Sequence, residues 1–253
     1  SDVHVCDAES PARQEYLDRY ADPDSPYREQ IGAVGTYRPQ EILTVQVATA
    51  MVEAVNGVRI GPVLGREIEA VLITGDVIDN AQRNELRWYR TIMEGGTVAP
   101  WSGDPDRSSW VGASTAEWSE AYWHPDGPAD DGCEDRPTRL FGFPRITGLV
   151  EAARREVTSP GLALPFLTVH GNHDRLLQGT SVATEELREL AVGDERITGL
   201  AEGQSPLIVL EAVPGVGPSR YTHDETSPRT TIAPDPDRAL VHEGDFGPTR
   251  WVR

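Results

Sequence analysis

Three short patterns in this sequence carry side chains that bind cations and move protons. They are Asp2-Val3-His4, Gly75-Asp76-Val77-Ile78-Asp79-Asn80 and Gly171-Asn172-His173-Asp174. At this chain's own residue frequencies an Asp-x-His arises about 0.4 times by chance, a Gly-Asp-x-x-Asp about 0.1 times and a Gly-Asn-His-Asp about 0.001 times, so only the last is specific standing alone. Carboxylate, imidazole and amide oxygen together suit divalent metals. Hydrolysis of a phosphate ester is one reaction that such a set suits. Ester and hydroxide are both anionic, and two cations about 3.5 to 4 Å apart offset that repulsion while acidifying a water between them. One carboxylate has to be shared by the metals, and Asp76 is assigned that place. Asp2 and His4 alternate along an extended segment, so both leave the same face and grip the first metal. Asn172, on a turn that Gly171 permits, offers its amide oxygen to the second. His173 then faces the substrate. As an imidazolium it donates a proton to the leaving alkoxide, and Asp79, three residues past the bridging Asp76, keeps it charged and oriented.

The order of these motifs, two of them directly after apolar runs, resembles the calcineurin-like metallophosphoesterase superfamily over the stretch from residue 1 to about Leu177. The resemblance implies an α/β sandwich of two sheets and a dinuclear centre of divalent or trivalent ions (Mn, Fe, Zn or Mg). It also implies the Asp79–His173 pairing. The activity implied is hydrolysis of a phosphomonoester or phosphodiester, with His173 and Asp79 catalytic, and Asp2, His4, Asp76 and Asn172 on the metals. Arg175 is a candidate contact for substrate phosphate, although a solvated arginine is the plainer reading. Asp174 reads as a supporting residue or a cap, His170 as a quiet strand end and Cys6 as a small buried filler.

Departures from the family pattern are plain. The gaps from His4 to Asp76 and from Asp76 to Gly171 far exceed the roughly 30 residues of a bare βαβ unit, and the excess is assigned to insertions at 21–39 and 95–144. The family's later Gly-His-x-His is absent, and His223 and His242 lie outside a strand-then-turn context. Only Ser1 precedes Asp2, so the strand expected before the first motif is missing. The chain is therefore expected to be a fragment open at both ends, with a partial phosphoesterase domain over 1–213 and a polar, proline-rich segment over 214–253.

The elements that must position these groups follow from periodicity. A helix over about 11–20 is signalled by Ser10-Pro11, and one over 40–56 by Leu43, Val47, Met51 and Val55, with Gly57 as its stop. The run 70–73 reads as a strand buried on both faces. Helix is expected over 83–94, 147–157 and 184–191, and strand over 165–169 and 207–210, an α/β alternation. The 95–144 segment lacks periodicity. Its Trp101, Trp110, Trp118, Tyr122 and Trp123 suit either a lid over a substrate's organic part or a small core of their own. Its His124, Asp126, Asp130, Asp131, Cys133, Glu134 and Asp135 suit a cation site or, more plainly, a solvated acidic loop.

Composition narrows the partners. The 253 residues carry 23 basic against 41 acidic side chains, a net charge of −18. The pI is near 4.7 and the mean hydropathy −0.43. Attraction to nucleic acid or anionic lipid is disfavoured, and a phosphate substrate has to be held by a locally positive device. No apolar run approaches the roughly 18 residues of a membrane span. Every basic residue is Arg, which excludes a lysine Schiff base or a P-loop lysine. Two cysteines do not make a disulfide framework, and no leader pattern marks a compartment. Two rivals to the enzyme reading stand beside it: an inactive homologue whose acidic, Trp-rich insertion binds protein, and a metal-dependent nuclease, which the charge disfavours.

Overall fold

A computed structural model of the chain describes residues 2–32, 37–104, 118–179, 182–207, 225–246 and 250–251. The helices are α1 (Arg28–Ile31), α2 (Thr44–Gly57), α3 (Arg83–Glu94), α4 (Arg136–Phe141), α5 (Leu149–Ala153) and α6 (Glu185–Val192). The strands are β1 (Val71–Ile73), β2 (Gly96–Val98), β3 (Val157–Ser159), β4 (Phe166–Thr168), β5 (Glu195–Ile197), β6 (Arg229–Thr231) and β7 (Arg250–Trp251). Helix and small sheets thus alternate in a general α/β arrangement. Among the described residues no helix is long and apolar enough to cross a membrane. The strand expected over 207–210 lies mostly outside the described residues, as do Trp110 and His223.

β1 and β4 pair in parallel, Leu72 opposite Leu167, and β7 adds antiparallel to β4. This sheet carries the second and third motifs just past the ends of β1 and β4. Its inner face packs on α2 and α3 in one apolar core that includes Val45, Ala48, Val52, Ile73, Leu86, Ile92 and Phe166. The two-sided burial expected of β1 is not found: Ile73 is buried, but Leu72 is 66% exposed, and Leu167 and Val169 beside it are exposed too. Side chains alternate across a strand, so a continuous apolar run does not show which faces are covered.

α2 occupies the expected stretch but buries a different face. Val45, Ala48, Thr49 and Val52 are inside, whereas Val47 is 53% exposed. Steps of four residues turn the helix by about 400° and drift around its surface, while the i, i+3, i+4, i+7 spacing of the buried set stays on one side. The single helix expected over 11–20 is instead two 3₁₀ turns, Pro11–Arg13 and Glu15–Tyr20, parted where Gln14 takes a left-handed φ of 54°. The helix expected over 147–157 stops at Ala153. Val157-Thr158-Ser159 is drawn off to pair with Gly96-Thr97-Val98, a partner visible only in three dimensions. β5 and β6 pair antiparallel in a stretch the sequence left without an element.

Candidate metal centre

The first motif is held against the second by backbone. The Asp76 carbonyl accepts from both Val3 N–H and His4 N–H at 2.9 Å, and Val5 N–H continues the pairing to Val77 O at 3.0 Å. His4 is not extended, as the alternation argument required. It takes φ 49°, and Asp76 takes φ 52°. Two non-glycine residues in the left-handed region cost on the order of 1 kcal/mol or more each and persist because the surroundings over-determine them. Despite that difference, one ligand atom from each of Asp2, His4 and Asp76 lies within 4.8 Å of the others.

The third motif meets the second through glycines. Gly75, at φ 104°, approaches Gly171 so closely that a Cβ on Gly75 would stand 2.7 Å from the Gly171 Cα and N. A Cβ on Gly171 would in turn strike the Asp76 carboxylate. Asp174 fastens the two turns. Its Oδ1 accepts from Val77 N–H (2.8 Å) and Ile78 N–H (2.9 Å), and its Oδ2 from Asp76 N–H (3.1 Å) and Gly171 N–H (2.7 Å). It is a scaffold residue, as the sequence suggested, and its work is to shape the loop that presents Asp76. Asp174→Asn keeps one acceptor oxygen and turns an NH₂ toward two buried N–H groups. We expect it to destabilise the fold by about 3 kcal/mol, read from urea unfolding. A loss under about 1 kcal/mol would show that the turns hold each other without it.

Asp79 is the electrostatic centre of the site. Its Oδ1 is shared by His173 Nδ1 at 2.9 Å and His4 Nδ1 at 3.2 Å, and its Oδ2 by the Arg38 guanidinium. Burial works to raise the carboxyl's pKa, but the hydrogen bonds from His173 and His4 and the charge of Arg38 outweigh it and hold it well below the usual carboxylate range. An ionised carboxylate only accepts, so both imidazoles carry a hydrogen on Nδ1 and turn Nε2 outward. Two tautomers follow from one anion. The rings of His4 and His173 meet edge to face, centroids 4.5 Å apart. His173 N–H also bonds Asp76 Oδ1 at 2.9 Å.

Two ligand groups therefore overlap at His4: Asp2–His4–Asp76 and His4–Asp79–His173. The Arg38 cation on Asp79 disfavours a metal in the second group, and Asp79 is already engaged on both oxygens. The first group is open to solvent at Asp2 and offers two carboxylates and an imidazole, a donor set that fits a divalent ion. No protein-family model, curated protein or solved structure matches the chain. The case for this centre rests on the chain's own geometry.

Asn172 is exposed and donates from Nδ2 to Gln178 O at 3.0 Å, and no partner for its Oδ1 is found among the described residues. Arg175 is exposed, with its backbone N–H on Asn172 O. His170 packs edge to face against Phe246. His242 is exposed, with its backbone N–H on Asp245. Cys6 is buried and Cys133 exposed, both as free thiols. Trp123, with Trp101, packs on Ala8, Ile42 and Val150, and Trp118 stacks on the His124 ring, so these aromatics serve packing within the protein. Among the acidic residues of the loop, Asp126 caps Gly148 N–H, Asp131 accepts from Cys133 N–H, Glu134 pairs with Arg145 and Asp135 caps Thr138 at the start of α4.

Sequence reading missed Arg38, which sat in a segment read as insertion. It also missed Asn80 as an anchor: Asn80 N–H bonds Glu85 Oε2 at 2.9 Å, tying the second motif to the first turn of α3. Glu85, three residues after Gln82, was the legible signal for that tie.

Proposed function

We propose that this chain is part of a calcineurin-like metallophosphoesterase with the family's sandwich architecture, hydrolysing a phosphomonoester or phosphodiester at a dinuclear metal centre. The observation that carries the reading is the convergence of Asp2, His4, Asp76, Asp79 and His173, drawn from three motifs 75 and 94 residues apart along the chain, at one solvent-accessible place. Asp2, His4 and Asp76 would hold one ion, and Asp76 with the Asn172 amide oxygen would contribute to a second, chosen among Mn, Fe, Zn and Mg. Bound metal supplies Lewis acidity and an acidified water. The protein's own part is to fix where charge and protons sit. Asp79 sets the Nε2 of His4 as a lone-pair donor and orients His173 through Nδ1, so that His173 Nε2 is the nitrogen left to serve the departing oxygen. The Gly75–Gly171 contact sets the distance between the two arms.

Loading the purified chain separately with Mn, Fe, Zn and Mg, followed by metal analysis and assay on p-nitrophenyl phosphate and its diester, tests this reading. Retention of metal with metal-dependent release of nitrophenolate is expected. Failure to retain any of the four ions at micromolar concentration would remove the proposal.

A further inference from the structure

We propose that Arg38 is the residue that grips the phosphoryl oxygens of the substrate in this site, an assignment that rests on the phosphoesterase reading. Its guanidinium lies on Asp79 Oδ2, one carboxylate away from both His173 and His4. Asp79 is its one side-chain partner among the described residues. Contact with Asp79 engages one terminal nitrogen of a planar fork that carries five N–H donors. The side chain is 28% exposed, so the remaining donors are not sealed in the core. A fork of that shape matches two phosphoryl oxygens at once.

The surroundings make such a cation necessary. Asp2, Asp76 and Asp79 crowd the site with carboxylates, on a chain of net charge −18. Arg175, the arginine singled out from sequence, is exposed, whereas Arg38 touches Asp79 directly.

Arg38 is also held in place from behind. Its own N–H bonds Glu41 Oε2 at 3.2 Å, and Glu41 is locked in a buried pair with Arg13. Tyr37, the preceding residue, accepts Trp123 N–H on its hydroxyl at 2.8 Å and meets the Tyr122 ring edge to face at 5.4 Å. Ile42 packs against Trp123. Tyr122 and Trp123 thus brace the backbone on both sides of Arg38, and a pre-aimed guanidinium loses less freedom on binding than a solvated one.

Calorimetric titration of the metal-loaded chain with inorganic phosphate, on the wild type, Arg38→Ala and Arg38→Lys, tests this, with metal content and unfolding temperature measured on each. We expect Arg38→Ala to weaken phosphate by about 10- to 100-fold at unchanged metal content. Arg38→Lys, which keeps a cation beside Asp79 but loses the fork, should fall between the two. Phosphate bound equally by all three would overturn the inference and leave the phosphoesterase reading standing, with Arg38 only a counter-charge for Asp79. A wild-type chain that takes up metal but no phosphate, or no metal at all, would overturn both. If Arg38→Ala unfolds, Arg38→Lys alone decides, because it preserves the ion pair while removing bidentate contact.

Discussion

Asp76→Asn is expected to lose metal and hydrolysis together. The Asp76 carboxylate is the anionic group of the first ligand set that also accepts His173 N–H, so it stands between the Asp2–His4 arm and the third motif. An amide keeps one oxygen but gives up the charge that two cations would share. Changes in residues behind metal ligands commonly cost 10- to 100-fold in affinity, and loss of a bridging ligand should exceed about 100-fold. The substitution separates charge from backbone cleanly. Asp76 sits at φ 52°, a conformation Asn tolerates as well as Asp does, and the carbonyl that binds Val3 and His4 is untouched. Metal analysis after dialysis, beside the rate on p-nitrophenyl phosphate, checks the outcome. Undiminished metal would show that the ions sit elsewhere.

His173→Ala should do the opposite, leaving metal in place while turnover falls by roughly 10²- to 10⁴-fold, the usual worth of a positioned general acid. His173 Nδ1 is committed to Asp79, so only Nε2 can act, and it lies outside the Asp2–His4–Asp76 set. The leaving group gives a second readout. A nitrophenolate departs without a proton, so its ester should be slowed much less than an alkyl ester. Equal losses on both esters, or loss of metal, would show that His173 is a ligand or a support for His4 and that the proton comes from another group.

Gly-Asn-His-Asp announced itself by rarity, and the Asp79–His173 pairing was what the family resemblance implied, with the two residues 2.9 Å apart in the structure. Asp174 read as a supporting residue or a cap, and only the structure showed that it is buried and which N–H groups it accepts from. α3, α6 and β4 were readable because apolar periodicity, a Thr184 cap and a bounded apolar run are local signals. The 3₁₀ turns before Tyr20 were not, since Gln14 bends left-handed inside a buried stretch whose partners lie far along the chain.

Sequence by itself determined which atoms are available for chemistry: four acidic and two imidazole groups in three motifs, no lysine, and a charge that demands a local cation for any phosphate. It also determined that glycines stand at 75 and 171, where two turns meet backbone to backbone. Only the tertiary structure decided that His4 shares Asp79 with His173, that Arg38 arrives on the same carboxylate, and that the aromatics of 118–123 brace Tyr37. Those contacts join residues dozens of positions apart, and the energy that selects them, burial of a carboxylate that has to be paired, exists only after the chain has closed around it.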